Sequence, residues 1–328
     1  MDISVIIPVY NVENYVLECL QSVAAQTKTK DVECILVDDC GTDKSVSLAE
    51  QFISTYVGEI AFALFHHPQN RGLSAARNTG IKNAKGKYLF FLDSDDTIKQ
   101  DCLDMLFSLA EKYHADMVQG SYVSDLESMK LFEKSQLPEF SDDKSFIKRT
   151  LLNYDVNPVM AQNRMARKQL VVDNNLWFKE GIIHEDLYWS YFLAKVVDRM
   201  CFCKEKTYFY RSTPGSITNK VNVAKETLAF KTIIEDFSTH IDPFERNSQK
   251  RIIFCMLLGA IESEYYQGSK DRKHLINCLR NNDSFINRVL LSVIFRMKDS
   301  FVRSKLINFL MRIYQGGGSY KFYTEVKK

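Results

Sequence analysis

Asp93-Ser94-Asp95-Asp96 places three carboxylates within four residues, directly after the apolar run Tyr88-Leu89-Phe90-Phe91-Leu92. Carboxylates crowded at the mouth of a buried strand repel one another, and the cluster is costly unless a cation or a basic side chain neutralises it. Hard divalent cations favour oxygen ligands of this kind, so the cluster reads as an Mg²⁺ or Mn²⁺ site able to hold a diphosphate. A solvated turn ahead of a helix at Asp101 is the plainer alternative. Arg77 shifts the balance. Leu73, Ala76, Gly80, Ile81 and Ala84 form one apolar helix face, and Arg77 falls on that same face by its i+4 spacing. An arginine turned toward a core needs an anionic partner, and the carboxylates after the next strand offer one.

Other residues are candidates for the same chemistry. Asp38-Asp39 closes an apolar run, where a carboxylate can accept from a base N–H or a ribose hydroxyl, or can simply initiate the turn before Gly41. Tyr10 stands where a planar base could stack, or where a tyrosine could merely pack. Glu185-Asp186 opens a helix. Carboxylates there are favoured by the helix dipole and can take a proton from a nearby hydroxyl, though an ordinary cap has the same composition. Tyr208-Phe209-Tyr210-Arg211, followed by Ser216-Ile217, offers a fixed cation that could clamp a phosphate, or an amphipathic edge strand. His66-His67 has no metal-ligand spacing and reads as structural.

The elements that must position these groups alternate. Apolar runs at 3–9, 32–37, 60–65 and from Tyr88 read as strands, with helical spacing at 12–25, 45–56 and 73–84 between them. This order implies an α/β fold with a mostly parallel central sheet, in which ligands bind beyond the carboxyl ends of the strands. Asp38-Asp39 and Asp93 to Asp96 both fall at such ends and can share a crevice. Asp101–Tyr113 reads as a helix and Asp116–Val123 as a strand. Helices are also expected at 145–153, 168–174 and 185–196, and strands around a turn at 200–211. From about residue 222 the pattern is helical, with amphipathic segments at 223–239, 249–266 and 284–314.

Length and composition fit this division. A chain of 328 residues is long for one domain, and 45% hydrophobic with 26% charged residues is ordinary for a globular protein. The expected organisation is a domain over 1–215, with a nucleotide half at 1–100 and an acceptor half at 101–215, then a helical region over 220–328. The net charge of +2 argues neither way about nucleic acid, and no nucleic-acid partner is expected. Eight cysteines lie without a CxxC pair, several in apolar runs, which points to a reducing, cytoplasmic setting. The chain opens on a strand rather than a leader, and its longest apolar run, 252–261, is too short to span a bilayer. Residues 284–328 carry about nine Lys and Arg against two acids, interleaved with bulky apolar residues. Such a segment suits a peripheral contact with the inner face of a membrane, or a helical surface for packing or homodimer formation.

Taken together these motifs resemble the family 2 glycosyltransferases, the inverting family of GT-A fold. Ser4-Val5-Ile6-Ile7-Pro8-Val9-Tyr10-Asn11 is similar to the family's first strand and nucleotide loop, and Val37-Asp38-Asp39 to its base-binding turn. Asn70-Arg71-Gly72 through Arg77-Asn78-Thr79-Gly80 is similar to its central helix entry, and Leu92-Asp93-Ser94-Asp95-Asp96 to its DxD motif. The resemblance covers residues 1–100 closely, weakens over 101–212 and fades beyond 220. It implies that Pro8 and Tyr10 flank the base and that Asp39 bonds to it. Asp95 would ligate Mn²⁺ or Mg²⁺ together with Asp96, with Asp93 at the substrate and Arg77 in support. Asp186 would be the catalytic base, and Arg211 would lie near the diphosphate. The implied donor is a nucleotide-sugar, a UDP-sugar for preference, and the acceptor a saccharide or lipid-linked saccharide. No QxxRW motif follows, so transfer of one sugar per encounter is expected, in polysaccharide or glycolipid assembly.

Phe90 to Thr97 also resembles the hhhDxDxT pattern of haloacid-dehalogenase-like Mg²⁺-dependent phosphatases, whose first Asp is a nucleophile. That motif ends the first strand of its domain, whereas here it ends the fourth, and Thr97 comes one position early. A non-catalytic sugar-nucleotide-binding protein is the remaining alternative. No G-x-G-x-x-G follows the first strand and no G-x-x-x-x-G-K-[ST] occurs, which excludes the common dinucleotide and P-loop sites.

Overall fold

Seven consecutive buried residues form β1 (Ile3–Val9), the pattern of a strand covered on both faces. A computed structural model of the chain describes residues 1–28, 30–123, 136–152, 159–213 and 223–240, with Lys305. After β1 come α1 (Val16–Ala24), β2 (Val32–Asp38), α2 (Ser45–Thr55), β3 (Ala61–His66), α3 (Leu73–Asn83) and β4 (Tyr88–Phe91). β1 pairs in parallel with β2 and β4, and β2 with β3. The expected α/β alternation is therefore present. α1 starts at Val16, later than the periodicity suggests. Asn11 takes a left-handed φ of 53°, and its side chain accepts from Thr42 N–H, while Val12 N–H donates to Ser45 Oγ. Those bonds hold residues 11–15 as a loop over the end of β1.

The chain continues through β5 (Thr97–Ile98), α4 (Cys102–Tyr113), β6 (Met117–Val123), β7 (Phe140–Ser141), α5 (Lys144–Leu151), β8 (Arg164–Arg167), α6 (Lys168–Asp173), α7 (Glu185–Leu193), β9 (Met200–Phe209) and α8 (Val223–Thr239). Among the described residues the sheet runs β3-β2-β1-β4-β8-β6-β9-β5, with β7 on β9. β8 lies antiparallel between β4 and β6. It was not expected, because Arg-Met-Ala-Arg has no apolar run, yet Arg164 is fully buried. β9 also differs from expectation, being one strand rather than strands around a turn. The exposed Lys204-Glu205-Lys206 looks like a turn in sequence; instead its pairing slips from Gln119↔Phe202 to Ser121↔Lys206 and the strand continues.

The core joins β1, β2, β4 and β6 to the inner faces of α1 and α4, with Val16, Leu20, Leu103 and Leu106 buried. Gly80 lets α3 lie close on β1, because a Cβ there would overlap Ile6 Cγ2. That close approach brings the Arg77 side of α3 against the sheet end. By compactness the chain forms two units. One is Met1–Gly181 with Glu185–Thr213, and the other is Ile182–His184 with Pro214–Lys328. In the second unit, α8 buries Ala229, Phe230, Ile233, Ile234 and Phe237, and His184 stacks on Phe230 at 5.4 Å. The amphipathic segments expected at 249–266 and 284–314, Lys305 apart, and Ser216-Ile217 lie outside the described residues.

Candidate active site

The carboxyl ends of β1, β2 and β4 present Tyr10, Asp38-Asp39 and Asp93-Ser94-Asp95-Asp96, as parallel pairing requires. Pro8 is buried within β1, and Tyr10, just beyond it, is 48% exposed. Asp39 is anchored beside it, its backbone N–H donating to Val9 C=O at 3.0 Å. The Asp39 carboxylate accepts from Arg71 N–H at 2.8 Å, Gly72 N–H at 2.7 Å and His67 Nδ1 at 2.7 Å. His67 Nε2 in turn meets Thr79 Oγ1 at 2.9 Å. Gly72 has φ 88°, a left-handed conformation that glycine adopts without strain, and this aims its N–H at Asp39.

Arg77 is the hub of the donor-side carboxylates. It is 2% exposed, and its guanidinium donates to Asp93 Oδ1 and to Glu185 Oε1, each at 2.8 Å. Burial works against its charge, but Asp93 and then Glu185 hold its pKa above the ordinary arginine value. Phe178 lies under the guanidinium at 5.2 Å, and Arg77 Nε is buried with no hydrogen-bond partner among the described residues. Asn78 pins the neighbouring segment by exchanging hydrogen bonds with Phe178 N and O. The sequence-predicted partnership of Arg77 with the acidic cluster is present, and it extends to the first turn of α7.

Asp95 and Asp96 lie in different surroundings. Burial, then the charges of Asp93 and Asp95, push Asp96 up to about 8; burial, then Asp93, push Asp95 up to about 6. Asp96 is 1% exposed, and its two oxygens accept from Tyr208 O–H and Arg211 N–H, both at 2.7 Å. Each oxygen of Asp96, expected as a metal ligand beside Asp95, thus already accepts one hydrogen bond. Asp95 is half-buried and accepts from Thr213 Oγ1 at 3.2 Å. Arg211, expected near a diphosphate, instead extends its guanidinium to Glu18 at 2.6 Å and over the Tyr15 ring.

At the start of α7, Glu185 is buried against Arg77 while Asp186 is half-buried and accepts from Leu187 N–H at 2.7 Å. Desolvation raises the Asp186 pKa above the usual carboxylate value, opposed first by Arg77, then by the Leu187 N–H and Arg164. Arg164 reaches Gln119 and Ser190, each at 2.6 Å, and so lies beneath this helix. Sequence reasoning missed Arg164 and gave His67 no part. Each touches another polar residue rather than a recognisable motif, so nothing local marked them. Among the described residues no group of three His, Cys, Asp or Glu side chains converges as a ready-made metal cage. No described helix is long and apolar enough to cross a membrane.

The arrangement gathers Asp39, Asp93, Asp95 and Asp96 at one end of the sheet and ties them through Arg77 to the helix start that bears Asp186. The phosphatase alternative is not favoured, because the motif ends an inner strand that follows three others and Asp93 Oδ1 is committed to Arg77. Comparison with known proteins agrees. The family model for glycosyl transferase family 2 matches residues 4–173. Glycosyltransferase GlyA of Streptococcus pneumoniae is 33% identical over 224 residues, which cover 66% of this chain and 31% of GlyA. The crystal structure of Staphylococcus aureus TarS 1–349 in complex with UDP-GlcNAc has a TM-score of 0.69 at 21% identity, covering 98% of this chain and 93% of that one. Mannosyltransferase PcManGT of Pyrobaculum calidifontis, in complex with GDP-Man and Mn²⁺, has a TM-score of 0.54 at 16% identity, covering 98% and 87%. With the family model covering more than half of the chain, from β1 to α6, the chain belongs to glycosyl transferase family 2.

Proposed function

We propose that the chain is an inverting glycosyltransferase that moves one sugar from a nucleotide-diphospho-sugar to an acceptor hydroxyl in polysaccharide or glycolipid assembly. The observation that carries this reading is the Asp93–Arg77–Glu185 bridge, which ties the donor-side carboxylates to the helix start bearing Asp186. Pro8 and Tyr10 flank the base, Asp39 accepts from it, and Asp93 faces the sugar-diphosphate. Arg211, which pairs with Glu18 in the structure, is the proposed contact to the diphosphate.

The donor set fits Mn²⁺ or Mg²⁺. Its ligands are hard oxygens, their pKa values are raised by burial and mutual repulsion, and a cation relieves both. Mg²⁺ is commonly held by one or two carboxylates plus substrate phosphates, so a site without a full protein cage suffices. Asp95 would be the ligand, with Asp96 holding the loop behind it through Tyr208 and Arg211. A bound cation supplies charge neutralisation for the departing diphosphate.

The reaction is a single displacement. The acceptor oxygen attacks the anomeric carbon from the face opposite the diphosphate. Its proton passes to an Asp186 oxygen while the bond from carbon to the diphosphate oxygen breaks. The nucleoside diphosphate leaves with that electron pair, and configuration inverts. Charge builds on the sugar as in glycoside hydrolysis. The catalytic domain spans 1–215 and the helical region 220–328. Residues 284–328 bring the site to a membrane-bound acceptor or to a second copy, and equal liposome co-sedimentation with and without them would remove the membrane role. The direct test is a screen of nucleotide-sugars with Mn²⁺, reading nucleoside diphosphate release. Release from none of them would overturn the reading in favour of a merely binding role, and unchanged activity in Asp186→Asn would remove Asp186 as the base.

A further inference from the structure

Arg164 is fully buried, and an arginine keeps its charge at any working pH. Burying such a charge is costly, and an apolar side chain there would avoid the cost. β8 carries Arg164 into the sheet between β4 and β6. Its guanidinium donates in two directions: Nε to Gln119 Oε1 of β6, and Nη1 to Ser190 Oγ of α7, each at 2.6 Å.

Both acceptors are held in turn. Gln119 Nε2 faces Gly120 C=O, Tyr122 Oη and Asn163 C=O at 3.1 to 3.2 Å, so Oε1 is the end that accepts from Arg164. The Tyr122 O–H is given to Gln162 C=O at 2.8 Å, which leaves its oxygen to accept from Gln119. The Ser190 O–H donates to Val159 C=O at 3.0 Å, which leaves its oxygen to accept from Arg164. The guanidinium cannot turn without breaking this chain of bonds.

Ser190 follows Asp186 by four residues within α7, so the two share a helix face. Helical side chains tilt toward the N-terminus, so Ser190 leans toward the turn that bears Asp186. Arg164 therefore grips α7 one turn from that carboxylate. Its charge acts there too. Desolvation raises the Asp186 pKa and Asp93 adds to it, while Arg77, then the Leu187 N–H and Arg164, oppose the rise. The charges facing Asp186 thus come from α3, from the loop after β4 and from β8, and Glu185 adjoins it in the chain. Arg77 is shared with the donor side through Asp93, whereas Gln119 and Ser190 belong to none of the loops after β1, β2 and β4.

We infer that Arg164 is a positioning residue for Asp186: it seats the face of α7 that carries this carboxylate and holds positive charge one turn away. This rests on the glycosyltransferase reading above. A merely structural arginine would affect folding and leave the pH profile and the balance between turnover and nucleotide binding alone.

The test follows nucleoside diphosphate release from whichever nucleotide-sugar is most active in the screen with Mn²⁺, with water as acceptor, alongside titration with the same nucleoside diphosphate. Arg164→Met should lower kcat by about tenfold to a hundredfold and leave nucleotide affinity unchanged. Its acid limb should move upward, because the base then protonates more readily. Carboxyl-carbon NMR of aspartate-labelled protein, with Asp186 assigned by its loss in Asp186→Asn, should show the same upward shift without substrate. Arg164→Lys keeps the charge but cannot donate along both directions, and Ser190→Ala keeps the charge but loses the grip. Both should lower kcat and leave the limb in place. The inference is overturned if folded Arg164→Met keeps its kcat, keeps its acid limb, or loses nucleotide affinity in step with kcat. Should Arg164→Met fail to fold, unchanged kcat in either Arg164→Lys or Ser190→Ala overturns it. In each of these cases the glycosyltransferase reading stands. Release from no nucleotide-sugar by the unaltered protein removes that reading and the inference with it.

Discussion

Asp186 and Glu185 are neighbours in sequence, yet their surroundings give them different work. Glu185 is committed to a buried guanidinium, whereas Asp186 keeps an open face and one backbone N–H. Asp186→Asn should therefore lower kcat by about 10² to 10⁴ while leaving nucleotide affinity near the unaltered value, as stopped-time product assays and titration would read. Its pH behaviour follows from desolvation. The base works when ionised, so activity falls as pH drops through a pKa that burial has raised. The acid limb of kcat/KM should lie above the ordinary carboxylate range near 4. A limb at or below that value would show that Asp186 is not the base. The candidacy of Asp186 was legible because a carboxylate at a helix start is a local signal. The parts played by His67 and Arg164 were not, because each acts on a residue far away in the chain.

Arg77 joins three elements: α3 carries it, the loop after β4 supplies Asp93, and the first turn of α7 supplies Glu185. Removing a partner from a buried ion network leaves charge uncompensated, which typically costs about 3 to 5 kcal/mol. Arg77→Met should lower stability by that order in urea unfolding, and should also move the acid limb of activity upward, since the Arg77 charge opposes protonation of Asp186. Arg77→Lys should restore little. One ammonium on a flexible stem cannot donate along two fixed directions as the planar fork does. Full rescue by lysine would reduce Arg77 to a simple counter-charge. The same region shows what sequence periodicity can and cannot reveal. Strands β1, β2 and β4 were plain, because buried parallel strands are continuous apolar runs. β8 was hidden by Arg164, whose charge is accommodated by Gln119 and Ser190 from other elements. β9 was split in reading by three exposed charged residues that a register shift absorbs.

At the scale of the molecule, the polar groups at one end of the sheet are held by long-range contacts, so ligand binding there should register in the stability of the whole unit. Tyr208 and Arg211 from the end of β9 grip Asp96, and Thr213 grips Asp95, linking the last strand of the unit to the loop after β4. A ligand that binds only the folded state adds about 2.7 kcal/mol at a hundredfold excess over its Kd. For a unit of this size that corresponds to a rise of several degrees in Tm. UDP with Mn²⁺ should therefore raise the melting temperature by more than the separate effects of UDP and Mn²⁺ combined. The synergy would arise because the cation would be held by Asp95 and the diphosphate together, each lowering the other's cost of approach. Asp95→Asn should keep the shift from UDP alone and lose the synergy, as differential scanning calorimetry would report. Synergy that survives in Asp95→Asn but disappears in Asp96→Asn would move the ligand to Asp96, and would require the Tyr208 and Arg211 bonds to open on binding. Synergy that survives in both variants would remove the cation from this loop.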